Sequence, residues 1–277
     1  MRLALVDRWT LGYVGFATSA LAGHGWASTH ADSMLLAHAL LVAVALAAPR
    51  ARAAGGAAAF LGDFCPLLVD AALYTEIGLV NTAAGVSHDS LVQGWEEALF
   101  GGQPSRDWIR AAPWPWLSWP LHLGYLSYYF ILAGGPLALW LSGRRDGARR
   151  AILLIMATFY VCYAIFYMFP VAGPRYLFPL ARNAATAVAP AVFAQRLLEQ
   201  GAAWGTAFPS SHVAVALVAS AAAWREWRLL GAILLPAAAL LSFGTVYGQF
   251  HYAVDALAGA VVAALAVVAS RDRMGRP

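Results

Sequence analysis

The sequence predicts an all-α fold, a polytopic membrane bundle of about six to eight transmembrane helices, and three observations support this. Hydrophobic residues make up 61% of the 277 residues and charged residues 12%, with a mean hydropathy of +0.63. Soluble domains of ordinary composition are far less apolar. The second observation is a series of long apolar runs, and the third is the position of the arginines between them.

Eight apolar runs are candidate spans, because about 20 apolar residues are needed to cross the hydrocarbon core of a bilayer. The second and sixth runs are short for this purpose. The third run contains Asp63, Asp70 and Glu76, which makes it the least regular of the eight. The runs cover residues 9–28, 34–48, 57–80, 116–141, 151–169, 213–224, 229–247 and 252–269.

All 18 basic residues are arginine, and their placement predicts the topology. If the N-terminus is cytoplasmic and the spans alternate, thirteen of the 18 arginines fall on the inner side, as the positive-inside rule requires. Both termini are then cytoplasmic. Nucleic acid is an unsuitable partner, since the arginines are dispersed between spans. Richness in alanine and arginine is typical of a GC-rich bacterial genome, which predicts a plasma-membrane protein whose outer side is periplasmic.

We expect a single membrane domain over residues 1–277, with N-terminal spans in 1–142 and catalytic core spans in 151–270. Between them lies an outer amphipathic segment near 86–110. Its residues Leu91, Trp95, Ala98 and Leu99 share one helical face, which is typical of a helix lying in the membrane interface. A lid over a lipid site is the other interpretation. The two cysteines lie in spans and fit neither a disulfide framework nor a metal motif.

Three polar clusters reach the same outer face under this topology. They are residues 173–175 (Gly-Pro-Arg), residues 208–212 (Phe-Pro-Ser-Ser-His), and the pair His251 and Asp255. The pair is spaced i, i+4, so on a helix the carboxylate can hold one imidazole nitrogen and leave the other free. A purely structural hydrogen bond is the alternative for this pair.

The second cluster has the features of an anion site. Pro209 opens a helix, and the free backbone N–H groups of Ser210, Ser211 and His212 point towards any anion bound there. Arg175 adds a donor suited to phosphate oxygens. Two histidines, an acid, a helix N-terminus and an arginine could together hold a phosphoryl group and transfer it through a phosphohistidine.

At these residues the chain resembles the type 2 phosphatidic acid phosphatase superfamily, whose motifs P-S-x-H and H-x-x-x-D stand here as residues 209–212 and 251–255. It is most similar to the inositol phosphorylceramide synthase-like branch, through F-P-S-x-H, T-V-Y, H-Y and a glycine after the aspartate. The resemblance implies a helical membrane enzyme that needs no metal or other cofactor. Its substrate would be a lipid phosphate or phosphodiester at the outer face.

The resemblance also implies roles for individual residues. His251 would be the nucleophile, Asp255 would orient it, and His212 would protonate the leaving oxygen. The family's first-motif lysine is missing, so fewer cations balance the phosphate, and this favours a phosphodiester substrate. The residues implied to hold the phosphate are Arg175, Ser210 and Ser211, and further candidates near the site are Arg182, Arg196 and Tyr247.

Two other functions fit parts of the sequence. A transporter or non-catalytic scaffold would use polar residues inside spans, such as Asp63, Asp70 and Glu76, to line a path. Vanadate-dependent peroxidase chemistry uses a similar residue set, but those related enzymes are soluble. The sequence leaves the lipid, the acceptor and the oligomeric state open.

Overall fold

The computed structural model describes residues 2–24 and 30–271, and within these ranges the chain is almost entirely helical. The described residues form no strand, only one isolated bridge between Val171 and Thr206. The prediction of an all-α fold is confirmed. The helices are α1 (Leu5–His24), α2 (Ala31–Ala54), α3 (Gly56–Ala84), α4 (Asp89–Phe100), α5 (Pro104–Ala111), α6 (Pro115–Leu126), α7 (Gly135–Leu141), α8 (Arg145–Met168), α9 (Pro174–Leu177), α10 (Ala189–Gly201), α11 (Ser211–Glu226), α12 (Arg228–Tyr247) and α13 (Ala253–Arg271).

Five of the described helices, α2, α3, α8, α12 and α13, are long and apolar enough to cross a membrane. This indicates an integral membrane protein. The end of the first predicted span, residues 25–28, and the C-terminal arginines Arg273 and Arg276 lie outside the described residues.

The predicted span 116–141 is not one helix. It consists of α6, a π-helical turn at Phe130–Gly134, and α7. Pro136 lies just after this turn and has no N–H to donate to the preceding turn of helix, so the regular hydrogen-bond pattern is interrupted here. The break follows directly on Tyr125 and Tyr128, whose rings contact His212.

The predicted span 213–224 is the centre of the bundle. It corresponds to α11, which has 16 residues and is therefore about 24 Å long, shorter than the hydrocarbon core of a bilayer. Helices α8, α12 and α13 pack around it. Val213, Val215 and Val218 on α11 are fully buried. Because α11 is covered by other helices, it can begin below the membrane surface and place its first residues in the protein interior.

The acidic residues of α3 are paired with partners on neighbouring helices. Asp63 accepts a hydrogen bond of 2.9 Å from Arg149, and Asp70 accepts one of 3.0 Å from the Tyr163 hydroxyl. Glu76 lies 2.8 Å from the Nε2 atom of His38. These contacts give each of the three acids of α3 a polar partner on a neighbouring helix.

Close packing at glycines brings the three polar clusters together. A Cβ atom on Gly259 of α13 would lie 2.4 Å from the main-chain oxygen of Ser210. A Cβ atom on Gly173 would lie 3.1 Å from the Cβ atom of Ala207, and the φ of Gly173 is +99°. The approach at Gly259 leaves no room for a side chain, and the φ of Gly173 is one that glycine adopts far more readily than other residues. The start of α11 is thus in contact with both the 173–175 loop and α13.

We expect Gly259→Ala to destabilise the protein, because the added methyl group would overlap the carbonyl oxygen of Ser210. Overpacking of this kind costs about 1–3 kcal/mol. Gly15→Ala is the matched control, since a Cβ atom at Gly15 in α1 has nothing within 4 Å. Thermal unfolding of the detergent-solubilised variants tests this. Equal unfolding temperatures for the two variants would contradict the close approach of α13 to α11.

Candidate active site

The start of α11 is fixed by hydrogen bonds at Ser210. The Ser210 hydroxyl accepts from the Val213 N–H at 3.4 Å and so caps the helix. The Ser210 N–H donates to the main-chain oxygen of Asp255 at 2.9 Å, so the prediction that it is free to bind an anion is wrong. Ser210 and Ser211 are both buried. This places the beginning of α11 against the beginning of α13, and therefore His212 near His251.

The hydrogen bond that orients His251 goes to a backbone carbonyl, with Asp255 nearby. Its Nδ1 atom lies 3.0 Å from the main-chain oxygen of Ala207 and 3.4 Å from the Oδ2 atom of Asp255. A carbonyl oxygen can only accept, so Nδ1 carries the proton and Nε2 has the free lone pair. Burial lowers the pKa of His251 to about 4, against the hydrogen bond to Ala207, which raises it. The imidazole is therefore neutral at pH 7 and nucleophilic at Nε2.

Asp255 has a wider role than the predicted contact with His251. It is fully buried, and its Oδ2 atom accepts a 2.8 Å hydrogen bond from the Tyr252 N–H. The carboxylate therefore also caps the first turn of α13 and shapes the backbone next to His251.

His212 faces His251 across a short gap. The two ring centroids are 5.6 Å apart, and the rings of Tyr125 and Tyr128 lie 5.7 Å and 4.4 Å from that of His212. The Nδ1 atom of His212 is buried and has no hydrogen-bond partner. A buried nitrogen without a partner next to a second imidazole is consistent with a site that a ligand completes.

Arg175 has an unsatisfied donor of the same kind. Its Nη1 atom is buried without a partner, and its guanidinium lies 5.2 Å from the centroid of the Tyr176 ring. Arg175 and His212 therefore each have a buried polar nitrogen without a partner, as expected of groups that bind a phosphate oxygen.

The other residues predicted to help bind the phosphate lie away from the two histidines. Arg182 and Arg196 are both exposed, and the structure shows neither of them in contact with His212, His251 or Arg175. The Tyr247 hydroxyl donates to the main-chain oxygen of Ala112 at 2.7 Å, and its ring contacts Trp108 and His122. Tyr247 thus joins α12 to the end of α5.

The segment near 86–110 forms two helices, α4 and α5. Its apolar face points outward, which agrees with the interfacial interpretation, but its polar face is turned into the protein. There Asp89 and Glu96 are buried and contact the segments that carry Arg175 and His251. Neither acid is among the site residues that the sequence predicts. Their spacing of seven residues, which puts them on one helical face with Val92, is the signal that could have found them.

Comparison with known protein families agrees with this arrangement. The model of the PAP2 superfamily matches residues 91–269, well over half of the 277 residues. The chain belongs to the PAP2 superfamily. The match includes the 173–175, 208–212 and 251–255 clusters, and it supports phosphatase or phosphotransferase activity in general. No curated protein and no solved structure matches the chain, so its similarity to the inositol phosphorylceramide synthase-like branch stays a prediction.

Proposed function

We propose that this PAP2-superfamily chain is a membrane lipid phosphatase or phosphotransferase that works through a phosphohistidine at His251. The observation that supports this best is the hydrogen bond from Nδ1 of His251 to the Ala207 carbonyl at 3.0 Å, because it leaves Nε2 free to attack. The ring of His212 lies next to that of His251, and His212 and Arg175 each have a buried nitrogen without a partner. Transfer to water would make the enzyme a phosphatase, and transfer to a lipid hydroxyl would make it a transferase.

His251 and His212 can together provide the nucleophile and the proton transfers that both steps of the reaction need. Burial, with a smaller effect of His251, lowers the pKa of His212 to about 3 in the free protein, so His212 takes up its proton together with the phosphate anion, which favours the charged imidazole. In the first step the Nε2 lone pair of His251 forms a bond to phosphorus, the bond from phosphorus to the lipid oxygen breaks, and the protonated His212 of this complex gives its proton to that oxygen. In the second step a water or alcohol oxygen attacks phosphorus and its proton passes to His212. The P–N bond then breaks and its electrons return to Nε2. No step requires a metal ion.

The charges near the site favour a phosphodiester substrate. A phosphate monoester carries up to two negative charges near pH 7, whereas a phosphodiester carries one. Arg175 is the arginine of the predicted phosphate-binding set that has a buried guanidinium nitrogen without a partner, and a single guanidinium matches a single negative charge. This agrees with the proposed similarity to the inositol phosphorylceramide synthase-like branch, which we retain as part of the proposal.

The direction of the helices favours an outer location for the site. Helix α8 begins at Arg145 and runs towards the 173–175 loop, whereas α11 and α13 begin at the site and run towards Arg225 and Arg271. The basic ends of these helices therefore lie away from the site. Under the positive-inside rule this gives a periplasmic active site in a bacterium and cytoplasmic termini.

The decisive variant is His251→Ala. We expect the purified, detergent-solubilised protein to release phosphate or exchange headgroups on a panel of lipid phosphates and phosphodiesters with a chelator present, and we expect the variant to lose this activity. The product identifies the enzyme as a phosphatase or a transferase. Near-normal turnover in a folded His251→Ala variant would rule out the phosphohistidine. Wild-type protein that is inactive on every lipid would favour a transport or scaffold function.

The role of His212 is tested by changing the leaving group. His212→Ala should lose about 10²–10⁴-fold in turnover on a lipid substrate, the usual contribution of general acid catalysis. The first step on a p-nitrophenyl alkyl phosphodiester, measured as the initial burst of p-nitrophenolate release, should be slowed much less, because p-nitrophenolate leaves without being protonated. A first step slowed equally on the two substrates would show that His212 binds the phosphate and does not act as the acid.

A further inference from the structure

Helix α4 presents its apolar side outward and two acids inward. Leu91, Trp95 and Leu99 are exposed by 47%, 38% and 65%, whereas Asp89 and Glu96 are exposed by only 4% and 0%. An interfacial helix that served only as an anchor would have no need to bury carboxylates, since burial of a charge is costly unless it is paired. The hydrogen bonds of Asp89 and Glu96 show which segments of the protein α4 binds.

Asp89 joins the two halves of the candidate site. Its Oδ2 atom accepts from the Ala172 N–H at 2.8 Å, and its Oδ1 atom accepts from the Gly173 N–H at 2.8 Å. The Tyr252 hydroxyl also donates to Oδ1, at 2.9 Å. The carboxylate of Asp89 thus binds the backbone at Gly173, two residues before Arg175. It also binds the side chain of Tyr252, the residue after His251.

Neighbouring residues of α4 strengthen this connection. Gln93 donates to the Tyr252 hydroxyl at 3.2 Å. Glu96 accepts from the Ala253 N–H at 3.3 Å, at the first turn of α13, and from the Ser105 N–H at 3.1 Å, at the start of α5. Helix α4 is therefore hydrogen-bonded to the loop before Arg175 and to the start of the helix that carries Asp255.

We propose that Asp89 is a positioning residue that sets the distance between Arg175 and His251 by accepting hydrogen bonds from both segments. This inference rests on the proposed function of those two residues. Gly173 has a φ of +99°, a conformation that the two backbone hydrogen bonds to Asp89 help to hold, and Pro174 stiffens the path to Arg175. A shift of about 1 Å in a group that holds the reacting phosphate can cost about 10²-fold in rate.

Asp89→Asn tests this because it keeps the size of the side chain. The single amide oxygen of asparagine can accept from only one of the two backbone N–H groups, and its NH₂ group faces the other. We expect kcat/KM on the p-nitrophenyl alkyl phosphodiester to fall about 10- to 100-fold. Glu97→Gln is the matched control on the same helix, since Glu97 is exposed, and it should retain wild-type activity.

A double-mutant comparison with Arg175→Ala separates positioning from a purely structural role. If Asp89 acts through Arg175, adding Asp89→Asn to Arg175→Ala should lower kcat/KM by less than about threefold further. If the fold-loss in kcat/KM of the double variant equals the product of the fold-losses of the two single variants, Asp89 does not act through Arg175 and the inference fails. Wild-type activity in Asp89→Asn would also overturn it.

Tyr252→Phe keeps the inference testable if Asp89→Asn does not fold. This variant removes one hydrogen bond to Asp89 and leaves the 171–175 loop intact, so we expect a smaller loss in kcat/KM, about three- to tenfold. An unchanged kcat/KM would contradict the connection between Asp89 and the His251 segment. Failure of the proposed function is a separate outcome, because it would appear as activity that His251→Ala does not reduce.

Discussion

The contact between the start of α11 and the start of α13 is the constraint on which the site depends. Gly259 lets α13 approach the carbonyl oxygen of Ser210, and the Ser210 N–H donates to the main-chain oxygen of Asp255. Because a main-chain hydrogen bond joins the two helices at this point, His212 and His251 have little freedom to move apart. Gly173 packs on Ala207, and this contact brings the 173–175 cluster next to the other two.

Much of this could be predicted from the sequence, because alternating spans bring the outer ends of helices to one face. The gathering of the 173–175, 208–212 and 251–255 clusters follows from that topology. The hydrogen bond from His251 to Ala207 could not be foreseen, since a main-chain acceptor leaves no residue-specific pattern. The orientation of α4 could not be predicted either. A periodic pattern shows which face of a helix is apolar, but not whether lipid or protein covers that face. The partners of Asp63, Asp70 and Glu76 depend on helix contacts that the pattern does not encode.

The chemistry follows from burial in a largely apolar bundle. In the proposed mechanism a neutral His251, with Nδ1 bonded to the Ala207 carbonyl, is a nucleophile that needs no base to deprotonate it. Arg175 would supply charge for a bound phosphate, while Asp89 accepts hydrogen bonds from the backbone before it. The site thus combines few charges with many backbone hydrogen bonds, and in an apolar environment such preorganised groups act strongly on a developing negative charge.

The most direct test of the account is to trap the covalent intermediate. In His212→Ala, the p-nitrophenyl alkyl phosphodiester should still phosphorylate His251, whereas the second step should be slow because no base activates the water. Alkaline quenching followed by peptide mass mapping should therefore find an alkylphosphoryl group on His251 that acid removes. The adduct should be absent from the variant that also carries His251→Ala. An adduct on any other residue, or turnover of the substrate by the double variant, would contradict the phosphohistidine at His251.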